Sequence, residues 1–297
     1  MLSLDNLVVV LTESREPQPA WESALVWQAA TAAAVHVFLP LPADPARGLD
    51  LAPGLQTLAE QGATREGERW LQEWLHDVPE GTTHTVGTSS KWCEAVLHET
   101  RRQEAGLLIL GADAVSAADL RTLLRQLPCP LYIARKGQTP RRIAAAVSPV
   151  TGDDKHKLLN DVVLEHLVKL AGFWQAQLSL LSAFPNPAEL VPLMGDGYTF
   201  TGIPGAESQV EQGYRAGLSQ QAVAMGLGQA PIEARLGRPD LVIPQLVEEG
   251  GIDCLLLGTV GRQAFAAFWL GNTAEDLLHE LTCDALVLRP EDYYDPN

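Results

Sequence analysis

The chain has 297 residues and a mass of 32.1 kDa, with 46% hydrophobic and 20% charged residues, which suits two globular domains and excludes a disordered chain. Its 37 acidic residues against 21 basic ones give a formal charge of −16, which repels phosphate backbones and anionic lipid, so neither nucleic acid nor a membrane is an expected partner. No apolar run reaches the ~18 residues of a membrane span, and Leu7-Val8-Val9-Val10-Leu11 lacks the flanks of a secretion signal, so a cytoplasmic location is expected. Cys93, Cys129, Cys254 and Cys283 are widely spaced, without a Cys-x-x-Cys, and read as reduced core thiols.

In chain order, strands are expected near 7–12, 33–39, 82–86, 106–110 and 130–134, and again near 143–148, 177–183, 231–236, 253–257 and 284–289. The runs Leu107–Leu110 and Cys254–Leu257 are continuously apolar, the pattern of strands buried on both faces. Helical spacing is read over 21–34, at Leu158-Leu159, Val162-Val163, His166-Leu167 and Leu170, and at Leu241-Val242, Gln245-Leu246 and Glu249. Trp70 and Trp74 stand one helical turn apart and read as packing. The stretch 185–230, rich in proline and glycine (Pro185, Pro187, Pro192, Gly195, Gly197, Gly202, Pro204, Gly205), reads as a long connection serving as a lid, a binding loop or a plain linker. Alternating strands and helices with buried strands imply a parallel sheet covered on both faces. In such sheets ligands bind beyond the carboxyl ends of the strands.

The two series are copies of one another. Leu127-Pro128-Cys129 with its apolar run to Arg135 matches Leu281-Thr282-Cys283 with its run to Arg289. Gly106–Gly111 echoes Asp253–Gly258, and Asn6–Leu11 echoes Arg142–Val147, in the same order. The seam falls in Lys136-Gly137-Gln138-Thr139-Pro140, which divides the chain into domains 1–138 and 139–297.

One motif carries chemistry. After the fourth strand of the second copy comes Gly258-Thr259-Val260-Gly261-Arg262, then Gly271-Asn272-Thr273-Ala274-Glu275, a G-x2-G-x9-G-N pattern. Residues without a Cβ let backbone N–H groups approach and cradle an anion. Gly271-Asn272-Thr273 stands at an expected helix start, whose free N–H groups favour phosphate, and Asn272 with Glu275 fits a capping box.

This pattern resembles the ATP-binding signature of the universal stress protein family. The text around it, including Phe268-Trp269-Leu270 and Gly237-Arg238-Pro239 leading to Val242-Ile243-Pro244, is similar to the tandem, E-type members. The resemblance implies two tandem doubly wound, parallel five-stranded sheets of order 3-2-1-4-5. It also implies the adenine-nucleotide alpha-hydrolase-like type, packed as a pseudo-dimer through the fifth strands. Gly258, Gly261 and Arg262 would then lie along ribose and phosphates, Gly271, Asn272 and Thr273 would hold phosphates, and Ala146, Ser148 and Leu181 would flank the base.

The chain departs from the family pattern in places. Where ATP-binding members carry Asp at the end of the first strand, Ser148 stands here, and Asn272 replaces Ser or Thr. The first copy has Gly111-Ala112-Asp113-Ala114 and no further glycines, and Gly111 to Cys129 spans 18 positions against 25 from Gly258 to Cys283. An empty, structural first domain follows.

Other signals carry less. His279 and Cys283 offer two ligands where zinc takes three or four, so no metal site is expected beyond Mg²⁺ accompanying a nucleotide. Gly226-Leu227-Gly228-Gln229-Ala230-Pro231 precedes a strand instead of opening a helix. Gly87-Thr88-Ser89-Ser90 lacks the closing glycine of a nucleophile elbow. His36 and His84 read as hydrogen-bonded or surface histidines within strands.

The resemblance and the motif together predict a stress-response protein that binds ATP or AMP, or a related anion, in its second domain. It would act through partner contacts and not as an enzyme beyond slow ATP hydrolysis, as an internal pseudo-dimer or a homodimer. A nucleotide-independent scaffold, and a carrier of another small ligand, are the alternatives.

Overall fold

The ten strands expected from the apolar runs all form. The molecule is described as a computed structural model covering residues 4–14, 16–42, 53–75, 78–149, 154–184, 205–259 and 273–289. Two units separate between Thr139 and Pro140.

In the first unit β1 (Asn6–Val10), β2 (Ala34–Pro42), β3 (Thr83–Ser89), β4 (Leu107–Gly111) and β5 (Leu131–Ala134) form a parallel sheet of order β3-β2-β1-β4-β5. Helices α1 (Pro19–Thr31), α2 (Pro53–Trp74), α3 (Trp92–Arg102) and α4 (Ala117–Gln126) connect them. Leu7, Val8 and Val9 of β1 and Leu107 to Leu110 of β4 are fully buried, which explains their continuous apolar sequence. Helix α1 stops earlier than its alanine-rich sequence suggests. Ala32 takes φ 58° at the C-cap, its N–H bonds the Gln28 carbonyl, and Ala34 already belongs to β2.

In the second unit β6 (Arg142–Ala146), β7 (Gln177–Phe184), β8 (Ile232–Leu236), β9 (Cys254–Gly258) and β10 (Asp284–Leu288) form a parallel sheet of order β8-β7-β6-β9-β10. Its helices are α5 (Asp154–Trp174), α6 (Ala206–Ala224), α7 (Pro239–Gly250) and α8 (Thr273–Glu280). Each unit thus has the doubly wound order 3-2-1-4-5.

The pairing registers match as well. Leu7 pairs with Leu107 as Ile143 pairs with Cys254, and Leu108 pairs with Leu131 as Leu255 pairs with Ala285. Cys129 and Cys283, each two residues before the paired strand position, are buried at equivalent places. The Gly106 N–H bonds the Asn6 carbonyl at 2.8 Å, and the Asp253 N–H bonds the Arg142 carbonyl at 2.8 Å, at the matching entry of each central strand.

One expectation is corrected: 185–230 is not one long connection. Residues 206–224 form α6, whose buried stripe Tyr214, Leu218 and Ala222 recurs every four residues. Gly213 and Gly217 beside that stripe disguised it. Helix α2 was signalled only at its end, where Trp70 and Trp74 stack with centroids 5.7 Å apart and Trp74 meets Trp21 edge-on at 5.6 Å. Among the described residues no helix is long and apolar enough to cross a membrane.

Candidate functional site

The carboxyl ends of β6, β7 and β9 bring three of the expected residues together. Ala146 and Leu181 are register partners on β6 and β7, and Ala146 pairs on its other side with Leu257, one residue before Gly258. The Val147 N–H continues the ladder to the Leu181 carbonyl at 3.1 Å, so Ala146 and Leu181 are buried within the sheet. Thr273 opens α8. Gly261, Arg262, Gly271 and Asn272 lie outside the described residues.

Ser148 follows the end of β6 and is held from two sides. Asn160 Nδ2 of α5 donates to its carbonyl at 2.6 Å, and its side chain hydrogen-bonds the phenol of Tyr214 on α6. Burial pushes that phenol up to about 12, and the Ser148 bond draws it partly back, so Tyr214 stays protonated at neutral pH. Next to it, a Cβ on Gly217 would stand 2.7 Å from the Pro149 Cβ. Phe184 tilts against Tyr214 at 5.7 Å. Helix α6 is therefore seated directly on the loop after β6. Tyr214 and Asn160 escaped the sequence reading because neither belongs to a motif; the buried four-residue stripe of α6 was the only available signal.

Gly258 has a packing reason of its own. A Cβ there would stand 2.4 Å from Leu159 Cγ and 2.5 Å from Leu159 Cδ2, closer than any side chain tolerates. Its neighbour Thr259 has its N–H committed to the Leu288 carbonyl at 2.8 Å. These two positions shape the floor, and anion-cradling donors would have to come from further along the loop.

At the equivalent place the first unit is closed. After β4 the chain enters a 3₁₀ turn, Ala112–Ala114, and Asp113 Oδ1 lies 2.7 Å from where a Gly111 Cβ would project. Ser116 then caps α4, accepting the Asp119 N–H at 3.1 Å and donating to Asp119 Oδ2 at 2.6 Å. The loop after β1 is stitched by the Gln18 side chain, which accepts the Thr12 N–H at 2.9 Å and donates to the Thr12 carbonyl at 2.8 Å. The Thr12 and Asp119 N–H groups of these two loops are thus occupied by protein side chains, and the Asp113 carboxylate stands beside Gly111. Ser116→Ala is expected to cost about 1 kcal/mol in urea unfolding of the first unit, with ligand binding unchanged.

Two further features stand out. A cavity of about 450 Å³ runs from the entry of β6 and β7 as far as Leu181, lined also by Arg142, Gln177, Ser179, Leu246 and Ile252 among others. In the first unit His36 and Glu99 form a buried polar cluster. The His36 ring meets Thr83 Oγ1 through Nδ1 at 2.8 Å and Glu99 Oε1 through Nε2 at 2.8 Å. Arg102 forks onto both Glu99 oxygens at 2.9 and 2.5 Å, and Gln103 Nε2 adds a bond at 2.9 Å. Burial lowers the His36 imidazole below its ordinary value although Glu99 pulls it upward. Burial would raise the Glu99 carboxyl, but the Arg102 and Gln103 hydrogen bonds and the Arg102 and His36 charges hold it at about 2. His84 is exposed, as is His279, while Cys283 is fully buried. Among the described residues no three potential ligands gather as a metal site.

Comparison with known proteins agrees with this architecture. Residues 152–289 match the model of the universal stress protein family. Over its whole length the chain is 25% identical to Universal stress protein E of Escherichia coli K12, covering 97% of that protein. It is 30% identical over 173 residues to a Universal stress protein E homolog of Haemophilus influenzae, covering 57% of this chain and 54% of that one. A crystal structure of a putative universal stress protein from Pseudomonas aeruginosa UCBPP-PA14 superposes with a TM-score of 0.71 at 21% identity, covering 98% of this chain and 95% of the other. One from Archaeoglobus fulgidus gives 0.62 at 12% identity, covering 97% of each.

Proposed function

We propose that the chain is a member of the universal stress protein family, whose model its residues 152–289 match, and that it serves the stress response by binding an adenine nucleotide, ATP or AMP, in its second domain alone. Bound nucleotide changes which protein partners the chain holds. The observation that carries this reading is the contrast between equivalent loops. After β4 the chain closes into a 3₁₀ turn and a self-capped helix, whereas after β9 it keeps Gly258, Gly261 and Gly271 in a longer segment before α8. A loop kept for packing alone needs only Gly258, which Leu159 already explains.

In this reading Ala146 and Leu181 form an apolar floor for the base, and Gly261, Arg262, Gly271, Asn272 and Thr273 face the phosphates with Mg²⁺ accompanying them. The family resemblance and the G-x2-G-x9-G-N spacing support those roles. Calorimetric titration with MgATP is expected to give one site per chain, lost in Gly261→Val and in Gly271→Val while both variants remain folded. Absence of heat from the unaltered chain at millimolar nucleotide overturns the reading. A second reading, a nucleotide-independent scaffold, is favoured by one observation: the Ser148 hydroxyl, which stands where the family places a carboxylate, is already engaged by Tyr214.

A further inference from the structure

Among the described residues β8 pairs with β7 alone and forms the outer strand of its unit. The Leu180 N–H bonds the Pro231 carbonyl at 2.9 Å, and the Gly237 N–H bonds the Phe184 carbonyl at 2.9 Å. Positions 231, 233, 235 and 237 therefore direct their backbone groups inward. Ile232, Ala234 and Leu236 direct theirs outward. Two of those outward groups are taken by a side chain. Arg215 of α6, steadied by Glu211 Oε1 at 2.9 Å, lays its fork along the strand, donating from Nη1 to the Ile232 carbonyl at 2.8 Å and from Nη2 to the Ala234 carbonyl at 3.3 Å. An exposed edge is a template for another strand, and charged residues laid across it are a recurrent means of blunting it.

The sequence of this edge is complementary to itself. Reading Ile232-Glu233-Ala234-Arg235-Leu236 against its own reverse, with Ala234 at the centre, sets Glu233 opposite Arg235 and Ile232 opposite Leu236. In an antiparallel pair the outward residues exchange backbone bonds, 234 with 234 and 232 with 236. The intervening 233/235 pairs bring their side chains closest, where opposite charges attract. Arg235 presently forks onto Glu249 at 2.9 and 2.5 Å, on the exposed rim where a second carboxylate can join. A two-fold arrangement satisfies both Glu233–Arg235 contacts at once, the closed geometry of a symmetric dimer.

We infer that the outer edge of β8 is a docking strand for a second copy of this chain, added antiparallel about Ala234, and that Arg215 holds it shut by occupying the Ile232 and Ala234 carbonyls. Arg215 and the partner strand compete for the same two acceptors, so withdrawing the guanidinium opens the edge. This interface is independent of whether the second domain binds nucleotide.

The test is sedimentation equilibrium of the full chain. Arg215→Ala is expected to self-associate at least about tenfold more tightly than the unaltered protein, about 1.4 kcal/mol. Adding Ala234→Pro should abolish that gain, because proline removes an outward N–H while the inward ladder to β7 stays intact. Adding Glu233→Arg instead should also abolish it, and a further Arg235→Glu should restore it. Hydrogen exchange of the Cys254–Leu257 amides reports whether each variant is folded. If Arg215→Ala does not fold, Arg215→Lys, which cannot fork to both carbonyls, is judged by the same criteria. No increase in association overturns the inference, and so does an increase that Ala234→Pro leaves in place.

Discussion

Replacing Gly258 by valine is expected to destabilise the second unit by about 3 kcal/mol, the upper part of the range for forcing extra groups into a close-packed core. A Cβ at this position would stand 2.4 Å from Leu159 Cγ, and Leu159 is itself buried on α5 against the sheet. Neither side has slack: Gly258 is fixed by its register with Leu288 on β10, and α5 is held by Val162, Val163 and Leu167, all buried. Urea unfolding monitored through Trp174, on the same helix, measures the loss. In the double variant Gly258→Val/Leu159→Ala the two costs should fall short of additivity by about 1 kcal/mol or more, because the shortened side chain frees the space that valine needs. Full additivity would show that the clash is relieved elsewhere. Loss of nucleotide binding in Gly258→Val would therefore reflect misplacement of α5 and says nothing of a missing donor; Gly261 and Gly271 are the informative substitutions.

Glu99→Ala is expected to destabilise the first unit by about 3 kcal/mol at neutral pH, because it leaves the buried His36 Nε2 and one face of the Arg102 fork without their acceptor. The pH dependence has a fixed sign. The Glu99 carboxyl sits at about 2 in the folded protein against about 4.3 when unfolded. Its contribution is present above the unfolded value and is lost as pH falls from there towards the folded value. His36 is lowered by burial, so the unfolded chain takes up its proton first, and stability begins to fall as pH drops below about 6.5. Denaturation curves of the unaltered protein should thus weaken in two stages on acidification. In Glu99→Ala the lower stage should be flattened. A change below about 0.5 kcal/mol at pH 7, typical of a neutral surface substitution, would contradict the structural role assigned to this cluster.

Much of the fold was legible because the two central strands of each copy are buried on both faces and so carry unbroken apolar runs. Leu107–Leu110 and Cys254–Leu257 announce themselves, and their alignment anticipates the pairing register and the equivalence of Cys129 with Cys283. The edge helices were less legible. Helix α6 buries only a narrow stripe, and its glycines, one packed on Pro149, mimic a loop. For the candidate site, the sequence located the strand ends that bring Ala146, Leu181 and Gly258 together. It missed the Ser148–Tyr214 bond because that contact joins elements 66 positions apart through a residue type common in cores. The reason for Gly258 was also hidden: a glycine kept for a ligand and one kept for a leucine read the same until the helix above it is seen.

The central claim is that nucleotide enters one domain and not its copy. Photolabelling of the intact chain with an azido-adenine nucleotide, followed by peptide mapping, tests it most directly. Label confined to peptides of the second domain and displaced by unlabelled ATP is the predicted result. Label displaced by ATP from peptides of the first domain, or none displaceable anywhere, would contradict it.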